Sequence, residues 1–341
     1  VSAVSVRGFG LERVVADFRG DEFRDLKVLV TGGAGFLGSW VAESLLALSA
    51  EVAVLDNFAG GLRVNVDHML GNPRFRLIEA DVSTWEPVGH FDYVVHAASR
   101  ASPEEYQAHP VETLYANSVG TLRILEYARR SGCRLLYTST SEVYGDAEVI
   151  PTPETYWGRV NPVGVRSCYD EAKRFAEAAI AAYVRQYGVD AVIVRIFNTY
   201  GPRIRGDGYY GRVIPRFIAQ ALRGEPVTVN GDGSQTRSFT YVSDTVRGLL
   251  RALASANARG QYLNIGNTVE TTILEVAKLV LKVTDSNSKI VFQELPQDDP
   301  KRRCADISLA KRVLSWAPEV TLETGLKQTL KWLQKGSKAS P

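Results

Sequence analysis

The sequence predicts an α/β protein, a doubly wound parallel sheet followed by a smaller C-terminal lobe. Short β-branched runs alternate with helical patterns through the first half. A glycine-rich turn, Gly32-Gly33-Ala34-Gly35-Phe36-Leu37-Gly38, separates the first such run from the first long helical pattern. Beyond Gly201 the rhythm changes, and Gly- and Pro-bearing turns punctuate helices.

Taken in order, Val1 to Asp25 lacks the apolar core of a secretion signal. Leu11, Val14, Val15 and Phe18 predict a short amphipathic helix, so residues 1–26 read as an extension packing on the body or on a neighbouring subunit. Strands are expected at Lys27–Thr31, Glu51–Asp56, Arg74–Glu79, Tyr93–Ala97, Arg134–Ser139 and Asp190–Phe197. Helices are expected at Ser39–Leu48, over Val111–Ser131 and on the segment carrying Lys173. Residues 27–200 thus form a nucleotide-binding domain whose sheet can recruit later segments. In residues 201–335 the turns Gly201-Pro202, Gly206-Asp207-Gly208 and Gly231-Asp232-Gly233 separate helices at Val213–Leu222, Ser243–Ala254 and Thr272–Val283. That lobe would close its loops over a ligand. Residues 336–341 read as a frayed polar tail.

Composition narrows the partners. The chain has 341 residues and a net charge of +2, ordinary for a globular protein. No basic, aromatic-interleaved patch points to nucleic acid, and no apolar stretch approaches a membrane span. Three scattered cysteines, Cys133, Cys168 and Cys304, argue for reduced thiols in a cytoplasmic setting. Four dispersed histidines offer no zinc set, so no metal is expected.

The glycine turn predicts a Rossmann-type cofactor site. Gly32, Gly35 and Gly38 permit a tight turn and close approach of a pyrophosphate to the N-terminus of the helix that begins with Phe36 and Leu37. The spacing is one residue wider than the Gly-x-Gly-x-x-Gly fingerprint. Asp56, ending the second strand before Asn57, is placed to accept hydrogen bonds from an adenosine ribose, and it would repel a 2′-phosphate. NAD is therefore expected over NADP, with Arg63 further on as the complicating charge. Asp81 and Val82 suit an adenine edge, or else a strand-ending turn.

Tyr169 and Lys173, four residues apart on a helical segment, share a face. A nearby ammonium favours the phenolate and is expected to draw the phenol down toward working pH. Such a tyrosine can remove a proton from an alcohol as a hydride leaves the same carbon.

The glycine pattern, Asp56, His96-Ala97-Ala98, Asn117 within Asn-x-x-Gly-Thr, Thr140 and Tyr169-x-x-x-Lys173 occur in that order. Together they resemble the extended short-chain dehydrogenase/reductase family, which acts on nucleotide sugars, from about Lys27 to about Leu333. Within it the likeness is to the UDP-glucuronate decarboxylases. It is carried by Ser139-Thr140-Ser141-Glu142-Val143-Tyr144-Gly145-Asp146, Tyr156-Trp157-Gly158-Arg159-Val160-Asn161-Pro162 and Cys168-Tyr169-Asp170-Glu171. Further words are Arg195-Ile196-Phe197-Asn198-Thr199-Tyr200-Gly201-Pro202-Arg203, Gly233-Ser234-Gln235-Thr236-Arg237, and Gln297-Asp298-Asp299-Pro300 with Arg302 and Arg303.

The resemblance implies a tightly held NAD contacted by the glycine turn, Asp56, Asn57, Asp81, Val82, Ala97, Asn117, Tyr169 and Lys173. It implies Tyr169 as base, Lys173 tuning it and holding the nicotinamide ribose, and Thr140 orienting the sugar hydroxyl. Glu142 and Arg303 would act around the carboxylated carbon, with Ser141 beside them, and Asn198 and Arg237 would hold the UDP of UDP-glucuronate. The implied reaction is C4 oxidation, loss of CO2 and re-reduction to UDP-xylose. A nucleotide-sugar 4-epimerase, such as one acting on UDP-glucuronate, and a non-catalytic NAD-binding scaffold stay as alternatives. Ser141, lacking acidity, disfavours a dehydratase. The family commonly dimerises through a four-helix bundle, and the apolar faces of Leu114–Tyr127 and Phe175–Tyr187 suit a homodimer or simply cover the sheet.

Two positions depart from the decarboxylase pattern: Arg100 stands where Ala-Ser-Pro-Ala-Ser-Pro has its first proline, and Val165 replaces another proline. Arg100 would reach a substrate carboxylate or solvent. Plainer readings compete at other positions. Glu142 would satisfy a loop, and Arg303 would belong to a solvated Lys301-Arg302-Arg303 run. His96 would pack under the nucleotide, Cys168 would fill space, and Tyr144 and Trp157 would be core or pocket wall.

Overall fold

The computed structural model describes residues 5–19, 21–205, 212–295 and 300–337. The Gly206-Asp207-Gly208 turn, the Gln297-Asp298-Asp299 word and the tail beyond residue 337 lie outside the described residues.

Six strands, β1 (Lys27–Thr31), β2 (Glu51–Asp56), β3 (Phe75–Glu79), β4 (Tyr93–His96), β5 (Arg134–Thr140) and β6 (Ala191–Ile196), join a seventh, Tyr262–Ile265, in one sheet. The order is β3-β2-β1-β4-β5-β6 and then Tyr262–Ile265, with every pairing parallel. The sheet is covered on both faces, so its strands are nearly continuous apolar runs. Side-chain alternation divides them. Val28, Val30, Val52, Val54, Val192 and Val194 pack with helices α2 (Phe36–Ala47) and α8 (Val242–Ala254). Leu29, Ala53, Leu55, Leu135, Ala191 and Ile193 face α5 (Val119–Ser131) and α6 (Ser167–Tyr187).

The helical stretch expected over Val111–Ser131 is instead two helices, α4 (Pro110–Asn117) and α5, preceded by α3 (Pro103–Ala108). Pro110 lacks the N–H that would continue α3. At Ser118 the backbone turns to φ −100°, ψ −73°, and its hydroxyl donates to the Leu114 carbonyl at 2.6 Å, a back-bond that bends helices. Near the N-terminus, α1 (Leu11–Ala16) packs on this chain's own body. Val6, Phe9, Leu11 and Val14 are buried with α2 and α8, and the Tyr241 hydroxyl donates to the Phe9 carbonyl at 2.7 Å.

The C-terminal lobe carries small sheets that the sequence reading did not resolve. Thr236–Ser238 lies between Glu270–Thr272 and Arg302–Arg303, and Val227–Asn230 pairs with Ile290–Gln293. Around them are α7 (Val213–Leu222), α9 (Ile273–Thr284), α10 (Ser308–Leu314) and α11 (Leu322–Ser337). The last helix runs into the stretch expected to fray from Gly336. Trp157, read as core or pocket wall, is 89% exposed, because its loop crosses the surface ahead of α6.

Candidate active site

The C-terminal ends of the sheet strands and the inner face of the lobe enclose a cleft of about 710 Å³. Of the residues expected in a site, Gly32, Gly35, Phe36, Leu37, Gly38, Asp56, Asn57, Asp81, Val82 and Ala97 line one end. Thr140, Ser141, Glu142, Tyr169, Lys173, Asn198, Arg237 and Arg303 line the other. Asn117 does not line it. It is buried behind the wall, where its amide nitrogen donates to Ser99 Oγ and the Thr113 carbonyl, both at 2.9 Å. Its place is therefore support for Ser99, which does line the cleft.

The glycine turn is a cradle that side chains would fill. A Cβ on Gly32 would lie 2.7 Å from Ala98, and one on Gly38 would lie 2.1 Å from the Gly32 carbonyl oxygen. Gly35 caps α2 with no side-chain acceptor, which leaves the first-turn amides for a ligand. Asp56 accepts from the amides of Ala34 (2.9 Å) and Phe58 (2.8 Å), and burial pushes its carboxyl above the usual range against those bonds. Asn57 donates to Asp81 at 2.7 Å, joining the ends of the second and third strands. Arg63 is engaged elsewhere, with Glu79 at 2.5 Å and above the Phe58 ring. The cradle, the amides and the Asp56 carboxylate fit a dinucleotide without a 2′-phosphate.

At the other end, Tyr169 is stacked on Tyr106, centroids 5.0 Å apart and planes within 2°. Burial pushes the Tyr169 phenol up to about 12, against the pull of the Thr140 hydroxyl. This reverses the expected sign. Lys173 is itself buried, and it donates to the Thr138 carbonyl at 2.9 Å with its nitrogen 5.8 Å from the Tyr169 ring centroid. Loss of water outweighs an ammonium whose own pKa burial draws down to about 7. Beneath them His96 is buried between Thr31 Oγ1 (2.7 Å) and Thr121 Oγ1 (3.1 Å), and burial lowers it to about 3. Cys168 Sγ lies 3.4 Å from the Tyr106 carbonyl, a packing position.

Glu142 follows β5, its amide bound by Thr140 Oγ1 at 3.2 Å. Both its oxygens accept from Arg303, at 2.6 and 2.8 Å, and one also accepts from Arg166 at 2.6 Å. Burial alone would raise its pKa, but Arg303 and Arg166 hold it well below the usual carboxylate range. It is thus a fixed anion. The Lys301-Arg302-Arg303 run is divided by strand alternation: Arg302 turns out to Glu270 (2.5 Å), while Arg303 turns in. The pairing of Arg303 with Arg237 across Thr236–Ser238 sets both guanidinium groups on the cleft wall. Asn198 presents a buried Oδ1 with no hydrogen-bond partner.

Sequence reasoning missed Arg166, Tyr106 and Arg212. Arg212 reaches the Ala101 carbonyl at 3.0 Å, and all three line the cleft. The signal for Arg166 was present, since a residue three positions before Tyr169 on the same helical entry shares its face.

A model of the NAD dependent epimerase/dehydratase family matches residues 28–266. This chain belongs to that family. UDP-glucuronic acid decarboxylase 1 of Xenopus tropicalis is 48% identical over 310 residues, 91% of this chain and 72% of the frog protein. UDP-glucuronic acid decarboxylase 4 of Arabidopsis thaliana is 50% identical over 307 residues, 90% of this chain and 68% of the plant protein. Among solved structures, the UDP-glucuronic acid 4-epimerase of Bacillus cereus, in complex with UDP-glucuronic acid and NAD, superposes with a TM-score of 0.82 at 29% identity. That superposition covers 91% of this chain and 99% of the epimerase. Family members with this fold use NAD, and the glycine cradle and Asp56 are where this chain fits it.

Proposed function

We propose that this chain decarboxylates UDP-glucuronate to UDP-xylose. The observation that carries the reading is the convergence of Arg166 and Arg303 on the cleft beside Tyr169 and Thr140. Two guanidinium groups there suit a sugar carboxylate, and the identity of about 50% to curated decarboxylases supports it.

NAD, held by the Gly32-to-Gly38 turn and Asp56, would supply the hydride acceptor for C4 of the sugar and the donor for its re-reduction. Tyr169 takes the C4 hydroxyl proton in its phenolate form, which the positive charge of an oxidised nicotinamide would favour against the burial that raises its pKa, and the Thr140 hydroxyl orients that oxygen. Oxidation at C4 makes the C5 carboxylate a β-keto acid, and the C–CO2 bonding electrons pass into the ketone as an enolate. Tyr169 and Thr140 stabilise charge on that oxygen, C5 takes a proton from solvent water, and as C4 is re-reduced the Tyr169 proton returns to O4. Lys173 holds the nicotinamide ribose. Arg166 and Arg303 bind the uronate, while Glu142, already a locked anion, holds both in place and moderates their charge. An unmoderated pair of arginines would stabilise the carboxylate that must depart. Asn198 and Arg237 hold the UDP, the unsatisfied Asn198 Oδ1 supporting that assignment.

The working unit in this reading is a homodimer. Leu114, Tyr115, Leu122, Phe175 and Tyr187 leave an exposed apolar face on α4, α5 and α6 for a second copy. The three cysteines are buried and unpaired, in keeping with a cytoplasmic location.

Incubation with UDP-glucuronate and NAD, following CO2 and the sugar by NMR, tests the reaction. UDP-xylose with stoichiometric CO2 is expected. UDP-galacturonate formed without CO2 overturns it.

A further inference from the structure

Arg100 takes no part in the chemistry above. Its Nη1 lies 2.6 Å from Glu105 Oε1, and the two side chains are only 16% and 7% exposed although they line the cleft. The same nitrogen lies 3.5 Å from the Ala59 carbonyl oxygen. A Cβ on Gly60 would lie 3.1 Å from Glu105 Oε1, so the loop after β2 rests on that carboxylate.

Topology gives the contact its meaning. The sheet order places β1 between β2 and β4. Ala59 and Gly60 follow β2, whereas Arg100 and Glu105 follow β4. A link between those two loops crosses above the end of β1, where the glycine turn and the N-terminus of α2 form the cradle. An exposed ion pair would contribute little, but this one is shielded from water and backed by a carbonyl on the far side.

We infer that Arg100 and Glu105 form a clasp over the bound dinucleotide, joining the loop after β2 to α3, and that the cofactor leaves only when it opens. A reaction that returns its hydride to the sugar in every cycle needs no cofactor exchange, so a slow exit costs nothing in turnover. The inference rests on the NAD site rather than on the decarboxylation. Its experiment reads cofactor release, which separates the two.

The protein is loaded with NADH, and loss of bound-NADH fluorescence is followed after adding excess NAD. Arg100→Ala and Glu105→Gln are each expected to speed release at least tenfold. Arg100→Gln combined with Glu105→Gln, which removes both charges, should do no more than either single change. The exchanged pair, Arg100→Glu with Glu105→Arg, should recover most of the slow release. Thermal melting without cofactor and binding of UDP are expected to match the parent for every variant carried forward. Unchanged release in Arg100→Ala overturns the clasp. So does fast release in the Arg100 variants alone with no recovery on exchange, which would mean that Arg100 holds a cofactor phosphate directly.

Discussion

Glu142 accepts three charge-assisted hydrogen bonds from two arginines that lie far apart in the chain, Arg166 and Arg303. Glu142→Gln keeps the shape but removes the charge, leaving two guanidinium groups facing each other across a neutral amide. CO2 release from UDP-glucuronate should fall by about 100-fold or more, about 3 kcal/mol in the barrier, while NAD stays bound, as single-turnover assays on the loaded protein would read. Tyr169→Phe should abolish CO2 release and also leave NAD bound, since the cradle is untouched; residual turnover within tenfold of the parent would remove Tyr169 from its place as base. The Tyr169–Lys173 pair was legible from spacing alone, but the direction of the phenol's shift was not. It depends on burial of the phenol by segments distant in sequence, among them Tyr106, which stacks on the Tyr169 ring. Asn117 lies off the cleft, bonded to Ser99 on its wall, for a related reason: its motif gives residue type and order, and only packing gives its place.

At the scale of elements, the turn from β1 into α2 leaves no room for a side chain at Gly32 or Gly38. In Gly38→Ala the new Cβ would lie 2.1 Å from the Gly32 carbonyl oxygen, a backbone atom that cannot step aside. The variant should lose NAD affinity by at least tenfold and melt at a lower temperature, measured by calorimetry with and without NAD. Affinity within twofold of the parent would show that the turn relaxes. The parallel strands were readable because burial on both faces writes each one as a short β-branched run; Lys27–Thr31 and Glu51–Asp56 match the structure residue for residue. The break between α4 and α5 was not readable, because both sides keep helical periodicity and the bend arises from one hydroxyl at Ser118. The two- and three-residue strands of the lobe are shorter than any alternation can reveal.

Across the whole molecule, Glu43 on α2 gathers distant segments. It accepts from Ser5 and the Val6 amide near the N-terminus, from Arg203 after β6 at 2.5 Å, and stands 3.0 Å from His68. Burial raises its pKa, but His68, Arg203 and Ser5 overcome that and hold it at about 2, against an ordinary 4.5. The folded state therefore binds fewer protons than the unfolded chain. The stability this confers, on the order of 3 kcal/mol, is whole above about pH 4.5 and drains as pH falls toward 2. Urea midpoints between pH 5 and 3 should fall steeply for the parent and less steeply for Glu43→Gln; parallel slopes would remove Glu43 from the acid limb.

The tie between Glu142 and Arg303 joins residues 161 positions apart, and the last strand of the central sheet ends at Ile265. During synthesis the dinucleotide fold has all its strands before Arg303 is made. A chain that ends between those points lacks the guanidinium that fixes Glu142. In the proposed reading, the site for the sugar carboxylate is thus completed only once Arg303 has been made, long after the glycine turn and Tyr169.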